Sequence, residues 1–151
     1  MNARGILIGG LIAGALDITY ACIASKLLGG AGPIGVFQSV AGGLLGAKTY
    51  EGGYATATLG LLLHFTIALT AATVFYFASR KIPMLTEHPV IFGLLYGIAI
   101  YFFMYFFVLP TSAFPIKLHY TVANMSRNIG IHMLGIGLPI SLANKRFSTP
   151  S

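Results

Sequence analysis

The chain has 151 residues, of which 56% are hydrophobic and only 8% charged, and its formal net charge is +6 at pH 7. Soluble domains carry about 25% charged residues, so this composition excludes an ordinary soluble domain and is typical of an integral membrane protein. The single cysteine, Cys22, excludes an internal disulfide and a cysteine-based metal site. Because no basic run is longer than two residues, we expect the positive charge to anchor helix ends at anionic lipid and not to bind nucleic acid.

The first predicted helix covers about 5–28 and is apolar except for one carboxylate near its middle, Asp17. Roughly 20 apolar residues at ~1.5 Å each cross the hydrocarbon core, so we predict a transmembrane helix. Arg4 and the apolar run also resemble a cleaved signal peptide, but the interruption by Asp17 favours an uncleaved helix. A carboxylate at this depth costs on the order of 2.5–3.5 kcal/mol, so it needs a partner, a proton or a water-filled cavity.

The rest of the chain divides into one short and three long apolar segments. A glycine cluster and Pro33 end the first helix, and the segment at about 34–47 is too short to span a bilayer. We predict a short interfacial or half-buried helix there, followed by spans at about 53–79, 89–109 and 127–144. The sequence therefore predicts an all-α fold, a four-transmembrane-helix bundle that forms a single domain over residues 1–151.

Four spans would place both termini on the same side of the membrane. With the termini inside, the cytoplasmic side holds five basic residues and the outside holds four. The positive-inside rule then favours cytoplasmic termini. The two groups are Arg4, Arg80, Lys81, Lys145 and Arg146 inside, and Lys26, Lys48, Lys117 and Arg127 outside.

Each predicted span has a polar residue on the same face as its small residues. Small faces let membrane helices approach closely, so we expect these faces to point inward. The four stripes are Gly10, Gly14, Asp17 and Ala21; Thr56, Gly60, His64, Ala68 and Ala71; Gly93, Gly97 and Tyr101; and Asn128, His132, Gly135 and Pro139.

The polar residues of the four stripes also lie at a common depth. Asp17, His64, Tyr101 and His132 are each about twelve to fifteen residues from the cytoplasmic end of their span, roughly 18–22 Å at ~1.5 Å per residue. We therefore predict an intramembrane Asp–His cluster, because each group lowers the free energy needed to bury the others. The candidate binding or proton-relay residues are Asp17, His64, His132, Tyr101, Asn128 and Arg127.

A purely structural interpretation of these residues stays open. Asp17 would then pair with Arg127 or a histidine, and each histidine would be satisfied by a helix carbonyl or hydroxyl. The aromatic block at 101–107 is typical of lipid contact and the interfacial aromatic belt.

Metal and enzyme chemistry find little support in the sequence. Two histidines and Asp17 would suit zinc or ferrous iron, but no local ligand spacing supports such a site, and we expect neither a metal nor a cofactor. Because no nucleophile elbow or phosphate-binding loop is present, we expect that the protein is not an enzyme.

Four short segments together resemble a known kind of protein: 14–17, 37–46, 59–64 and 135–139. They are similar to small four-helix bacterial inner-membrane proteins, some of which are loosely YagU-like, a family linked to acid resistance. The resemblance implies a bacterial inner-membrane location. It supplies neither an activity nor catalytic residues.

We predict a proton-linked membrane protein, either a small transporter of unknown cargo or an acid-stress component. Asp17 would be the protonatable group, with His64 and His132 as relay or pairing partners, in a homo-oligomer within the bilayer. Small multidrug transporters also place a carboxylate in the first of four helices, which is an analogy of logic and not of family. The alternative is a non-catalytic scaffold or accessory subunit whose polar residues only specify helix packing, and it predicts that Asp17→Asn is tolerated.

Overall fold

The computed structural model describes residues 3–117 and 120–147, and within these ranges it contains helices and loops but no β-strand. The all-α prediction is confirmed for this part of the chain. The long final helix, α6, consists of Val122–Ile131, a π-helical segment His132–Gly137 and Leu138–Phe147. The other helices are α1, Ala3–Leu27; α2, Gly32–Leu45; α3, Gly53–Lys81; α4, Met84–Glu87; and α5, Pro89–Thr111.

Three helices, α1, α3 and α5, are long and apolar enough to cross a membrane, with 25, 29 and 23 residues. Their outer surfaces expose large apolar side chains such as Leu11, Leu62 and Phe106. Apolar surface on this scale is typical of contact with lipid and not with water. A membrane protein with three candidate spans is therefore what the structure supports directly. The helix α6 runs continuously over 122–147 but is not among these three candidate spans.

The helix α1 packs against α3 and α6 through its small residues, as the stripe on helix 1 predicts. Gly9 lies beside Ile140 of α6, and Gly10 and Gly14 lie beside α3. A methyl group at Gly14 would come within 2.8 Å of the Phe65 ring. The approach of α3 to α1 therefore depends on the missing side chain.

The helices α5 and α6 pack even more closely. Gly93 and Gly97 of α5 are buried against Gly137 and the backbone of His132. A Cβ added at Gly97 would overlap the His132 carbonyl, so backbone lies directly on backbone here. Such contact is a common way for membrane helices to associate, because dispersion and not the hydrophobic effect drives their packing.

The connection between α1 and α2 differs slightly from the expected bounds. Gly29 adopts φ +75° just after α1, a left-handed conformation that suits glycine at a helix end, and the Gly30 N–H donates to the Ser25 carbonyl at 2.7 Å. The helix α2 then begins at Gly32 and has Pro33 in its first turn, where a missing N–H has no consequence.

A buried polar network attaches α2 and the following 3₁₀ turn, Gly46–Glu51, to the start of α3. Thr49, fully buried, donates to the Gln38 carbonyl at 2.8 Å, and Thr56 donates to the Thr49 carbonyl at 2.6 Å. The Gln38 amide nitrogen donates to the Gly53 carbonyl at 3.1 Å. These bonds hold α2 against α3, so that one face of this short helix is buried.

Candidate functional site

A cavity of about 360 Å³ lies between α1, α2, α3, α5, α6 and the loop that follows α5. This volume is within the range of about 300–1,000 Å³ usual for small-molecule pockets. Fifteen of its 21 lining residues are glycine, alanine or larger apolar residues, so a few polar groups determine its chemistry. The polar lining residues are Asp17, Ser39, His64, Tyr105, Ser112 and His132.

Three of the six predicted site residues line this cavity from three different helices. Asp17 projects from α1, His64 from α3 and His132 from α6. The Asp17 side chain is half-buried and makes no hydrogen bond to another residue within 3–117 or 120–147. This carboxyl group therefore lies at a largely apolar wall without a hydrogen-bond partner in that part of the chain.

The imidazole of His64 connects two of these helices. Its Nε2 lies 2.9 Å from the Gly14 carbonyl oxygen of α1. Because a carbonyl can only accept, Nε2 carries the proton and donates it, and Nδ1 is the acceptor of the neutral ring. The ring also meets Phe65 edge-on, with centroids 5.6 Å apart.

His132 stands at the start of the π-helical segment of α6 and is buried. Its Nδ1 lies 2.8 Å from the Asn128 carbonyl oxygen, one turn earlier in the same helix, so Nδ1 is the donor and Nε2 the acceptor. The backbone N–H of His132 reaches the same carbonyl. The imidazole thus gives the Asn128 carbonyl a second hydrogen bond at the point where the π-helical segment begins.

Tyr101 and Tyr105 form an aromatic shell beside His132. The Tyr101 ring is 99% buried, with its centroid 5.6 Å from that of His132, and the Tyr105 ring lies 6.1 Å from it. Only Tyr105 lines the cavity. The sequence predicted lipid contact for the whole aromatic block. Phe102 and Phe106 are exposed, as lipid contact requires, but Tyr105 faces the cavity. Its i+4 spacing from Tyr101 on the Gly93–Gly97 face is the signal that could have revealed it.

Asn128 and Arg127 lie outside the cavity lining. Asn128 contributes through its main-chain carbonyl, which accepts from His132. Arg127 is exposed and donates to the Asn124 side chain on its own helix. A direct pairing of Arg127 with Asp17 is therefore absent from the described residues.

Both π-helical segments border the cavity. Met104–Val108 of α5 contributes Met104, Tyr105 and Val108, and His132–Gly137 of α6 contributes His132 and Ile136. A π-helical turn inserts one residue into the α-helical repeat and redirects the side chains after it, and such turns are frequent at functional sites. Hydropathy does not reveal them in the sequence.

The helix α2 and the loop 112–114 form part of the cavity wall. Ser39 and Gly43 of α2 line it, and the Ala113 N–H donates to the Gly43 carbonyl at 3.0 Å. Sequence reasoning missed this contribution, because the apolar segment 34–47 gives no indication of which helix it packs against.

Metal binding finds no geometric support in the described ranges, where no group of three or more His, Cys, Asp or Glu side chains could hold an ion. Asp17 and the two histidines share a cavity without forming such a group. Comparisons of the chain with protein-family models, curated proteins and solved structures found no match. The resemblance to YagU-like proteins therefore stays a prediction, and the function has to be argued from the cavity.

Proposed function

We propose that the chain is a proton-linked membrane protein, a small transporter whose cavity exchanges protons at Asp17. The observation that carries the proposal is that Asp17, His64 and His132 line one cavity between the helices. Ionisable residues inside transmembrane segments are expensive to bury and commonly mark substrate or proton pathways. A carboxyl group, two imidazoles and a space of about 360 Å³ provide the parts that such a pathway needs.

The proposed setting is a bacterial inner membrane with four spans and cytoplasmic termini. The packing of α6 along α1 and α5 supports its role as the fourth span, because Gly9 meets Ile140 and Gly97 meets His132. With four spans, α3 and α6 would end on the same side of the membrane, where their last turns carry Arg80, Lys81, Lys145 and Arg146. The positive-inside rule assigns that side to the cytoplasm.

The charge of Asp17 provides the coupling in this proposal. A carboxylate at an apolar wall is destabilised, so protonation or the arrival of a cation lowers the free energy of the cavity. The acceptor nitrogens of His64 and His132 would share or relay the proton, since each ring has its other nitrogen fixed by a backbone carbonyl. A homo-oligomer would widen the route through these helices.

A scaffold or accessory subunit is the competing function, and one observation favours it. The hydrogen bond from His64 to Gly14 and that from His132 to Asn128 satisfy both rings within the fold, as a packing role requires. An acid-stress component that only exchanges protons would use the same groups as the transporter. Proton exchange at Asp17 therefore separates the scaffold from both proton-linked functions.

The test counts protons released by purified protein in detergent as the pH rises from about pH 5 to about pH 9, a range in which ordinary surface carboxylates are already ionised. The chain has only three acidic side chains, Asp17, Glu51 and Glu87, so two substitutions remove every acidic side chain except Asp17. In E51Q/E87Q, Asp17 is the one acidic side chain left. We expect Asp17→Asn in that background to remove about one proton per chain. Coinciding curves for two folded proteins would reject the proposal and favour the scaffold.

A further inference from the structure

Four of the six polar side chains that line the cavity donate a hydrogen bond to a backbone carbonyl. His64 donates to the Gly14 carbonyl at 2.9 Å, and His132 donates to the Asn128 carbonyl at 2.8 Å. What each neutral imidazole has left is one nitrogen lone pair.

The two serine hydroxyls of the lining follow the same pattern. Ser39 donates to the Val36 carbonyl at 2.7 Å, and Ser112 donates to the Leu109 carbonyl at 2.8 Å. The Ser112 oxygen also accepts from the Phe114 N–H at 3.2 Å, so it keeps one lone pair, while Ser39 keeps both. Among the polar side chains of the lining, the Tyr105 hydroxyl is the one donor not engaged in this way.

The cavity is therefore rich in acceptors and poor in donors, and it holds a carboxylate with no arginine or lysine in its described lining. An anion or a ligand with only acceptors would meet lone pairs and the charge of Asp17. A cationic N–H donor would meet the carboxyl group of Asp17, and charge-assisted hydrogen bonds are the stronger kind.

The rest of the lining determines which kind of ligand fits beside the carboxyl group. Its walls are apolar, with Leu63, Ile67, Met104 and Phe114 among them, and such walls do not replace the hydration shell of a small inorganic cation. An organic molecule with an apolar body and one cationic end would match both parts of the cavity.

We infer that the cavity binds a small organic ammonium ion, with the ammonium group at Asp17 and an aromatic or aliphatic body against the apolar walls. This inference rests on the proposed function and names its class of cargo. The ammonium ion and a proton compete for one carboxylate, so binding at low pH releases a proton. The other titratable groups of the described lining are His64, His132 and Tyr105. The helix α2 and the loop 112–114 add no titratable group to it, since Ser39 and Ser112 are their polar lining residues.

The probe is radiolabelled 2-phenylethylammonium, measured by equilibrium dialysis against the full chain in detergent, with protein-free micelles as the blank. Propylbenzene has the same shape without the charge, and 3-phenylpropionate has the opposite charge. The variants are Asp17→Asn and the matched control Glu87→Gln, which makes the same kind of change at an exposed residue of α4.

We expect saturable binding of the amine that Asp17→Asn weakens at least about tenfold, the size of one lost charge-assisted hydrogen bond. Glu87→Gln should bind like the wild type, and neither control compound should compete. Equal binding by Asp17→Asn, or competition by propylbenzene, would reduce the site to an apolar pocket and overturn the inference.

A different result would separate this inference from the proposed function. If the chain exchanges a proton that depends on Asp17 but binds no amine, the cargo class is wrong and proton linkage stands. If neither is found in folded protein, both fail.

Discussion

The Nε2 of His64 donates a hydrogen bond to the carbonyl oxygen of Gly14, 2.9 Å away and three residues before Asp17. This bond joins α3 to α1 one turn from the carboxylate. Because Gly14 has no side chain, the backbones come close enough for the bond to form. One contact therefore brings the imidazole and the carboxylate to the wall of the same cavity.

Removing this contact should cost a measurable but modest part of the stability. We expect His64→Leu to lower the free energy of unfolding in detergent by roughly 0.6–1.7 kcal/mol, the range found for hydrogen bonds between membrane helices. Thermal unfolding followed by circular dichroism measures it. His88→Leu makes the same substitution at an exposed residue and should have little effect. Equal midpoints for His64→Leu and wild type would mean that the bond contributes nothing net.

The close packing of α5 on α6 predicts strong intolerance of Gly97→Ala. The added methyl would overlap the His132 carbonyl and must push the helices apart, at a typical cost of about 1–3 kcal/mol. Gly130→Ala on α6 is the matched control, because nothing lies within 4 Å of its Cβ position. We expect the control to unfold like the wild type or slightly later, since alanine favours helix. A stable Gly97→Ala protein would contradict the packing described for these helices.

The polar network around Thr49 predicts a local effect at the start of α3. Thr56→Val removes the donor to the Thr49 carbonyl and should cost on the order of 1 kcal/mol while loosening the 3₁₀ turn. Limited proteolysis in the 46–52 region should become faster. Thr58→Val on the same helix alters an exposed threonine and serves as the control. If both variants are cleaved at the wild-type rate, the network does not hold α2 in place.

A disulfide can test whether α2 and the loop after α5 close one side of the cavity. A Cβ built at Gly43 lies 4.0 Å from the Ser112 Cβ, within the span of about 3.5–4.5 Å that a disulfide requires. In a Cys22→Ala background, Gly43→Cys with Ser112→Cys should cross-link on mild oxidation and slow proton exchange at Asp17. Gly130→Cys with Ser112→Cys should stay reduced. Cross-linking without any change in exchange would show that this side does not control access.

Much of the architecture follows from hydropathy and from the positions of small residues. The helices α1, α3 and α5 were predictable from their long apolar runs. In a membrane the backbone N–H and C=O groups of such a run find hydrogen-bond partners only in a helix or a closed β-barrel. The burial of Gly93, Gly97 and Tyr101 on one face followed from helical periodicity. The inward direction of Asp17, His64 and His132 followed from the same argument.

Other features depend on contacts that no local pattern encodes. The π-helical segments that begin at Met104 and His132 both border the cavity, and hydropathy does not indicate either of them. The position of α2 depends on the hydrogen bond between Thr49 and Gln38. These residues are 11 positions apart, so no short sequence pattern indicates the contact. Arg127 was grouped with the site by charge alone, and its side chain instead contacts Asn124.

The most direct test of proton exchange at Asp17 is an infrared difference spectrum between about pH 5 and about pH 9, a range in which ordinary carboxyl groups are largely ionised. It is recorded for E51Q/E87Q, in which Asp17 is the one acidic side chain. If Asp17 exchanges a proton in the cavity, the spectrum contains a protonated-carboxyl band above the contribution of the chain terminus, and Asp17→Asn removes it. If the spectra with and without Asp17 coincide while both proteins remain folded, Asp17 does not exchange a proton, and the cavity is a by-product of helix packing.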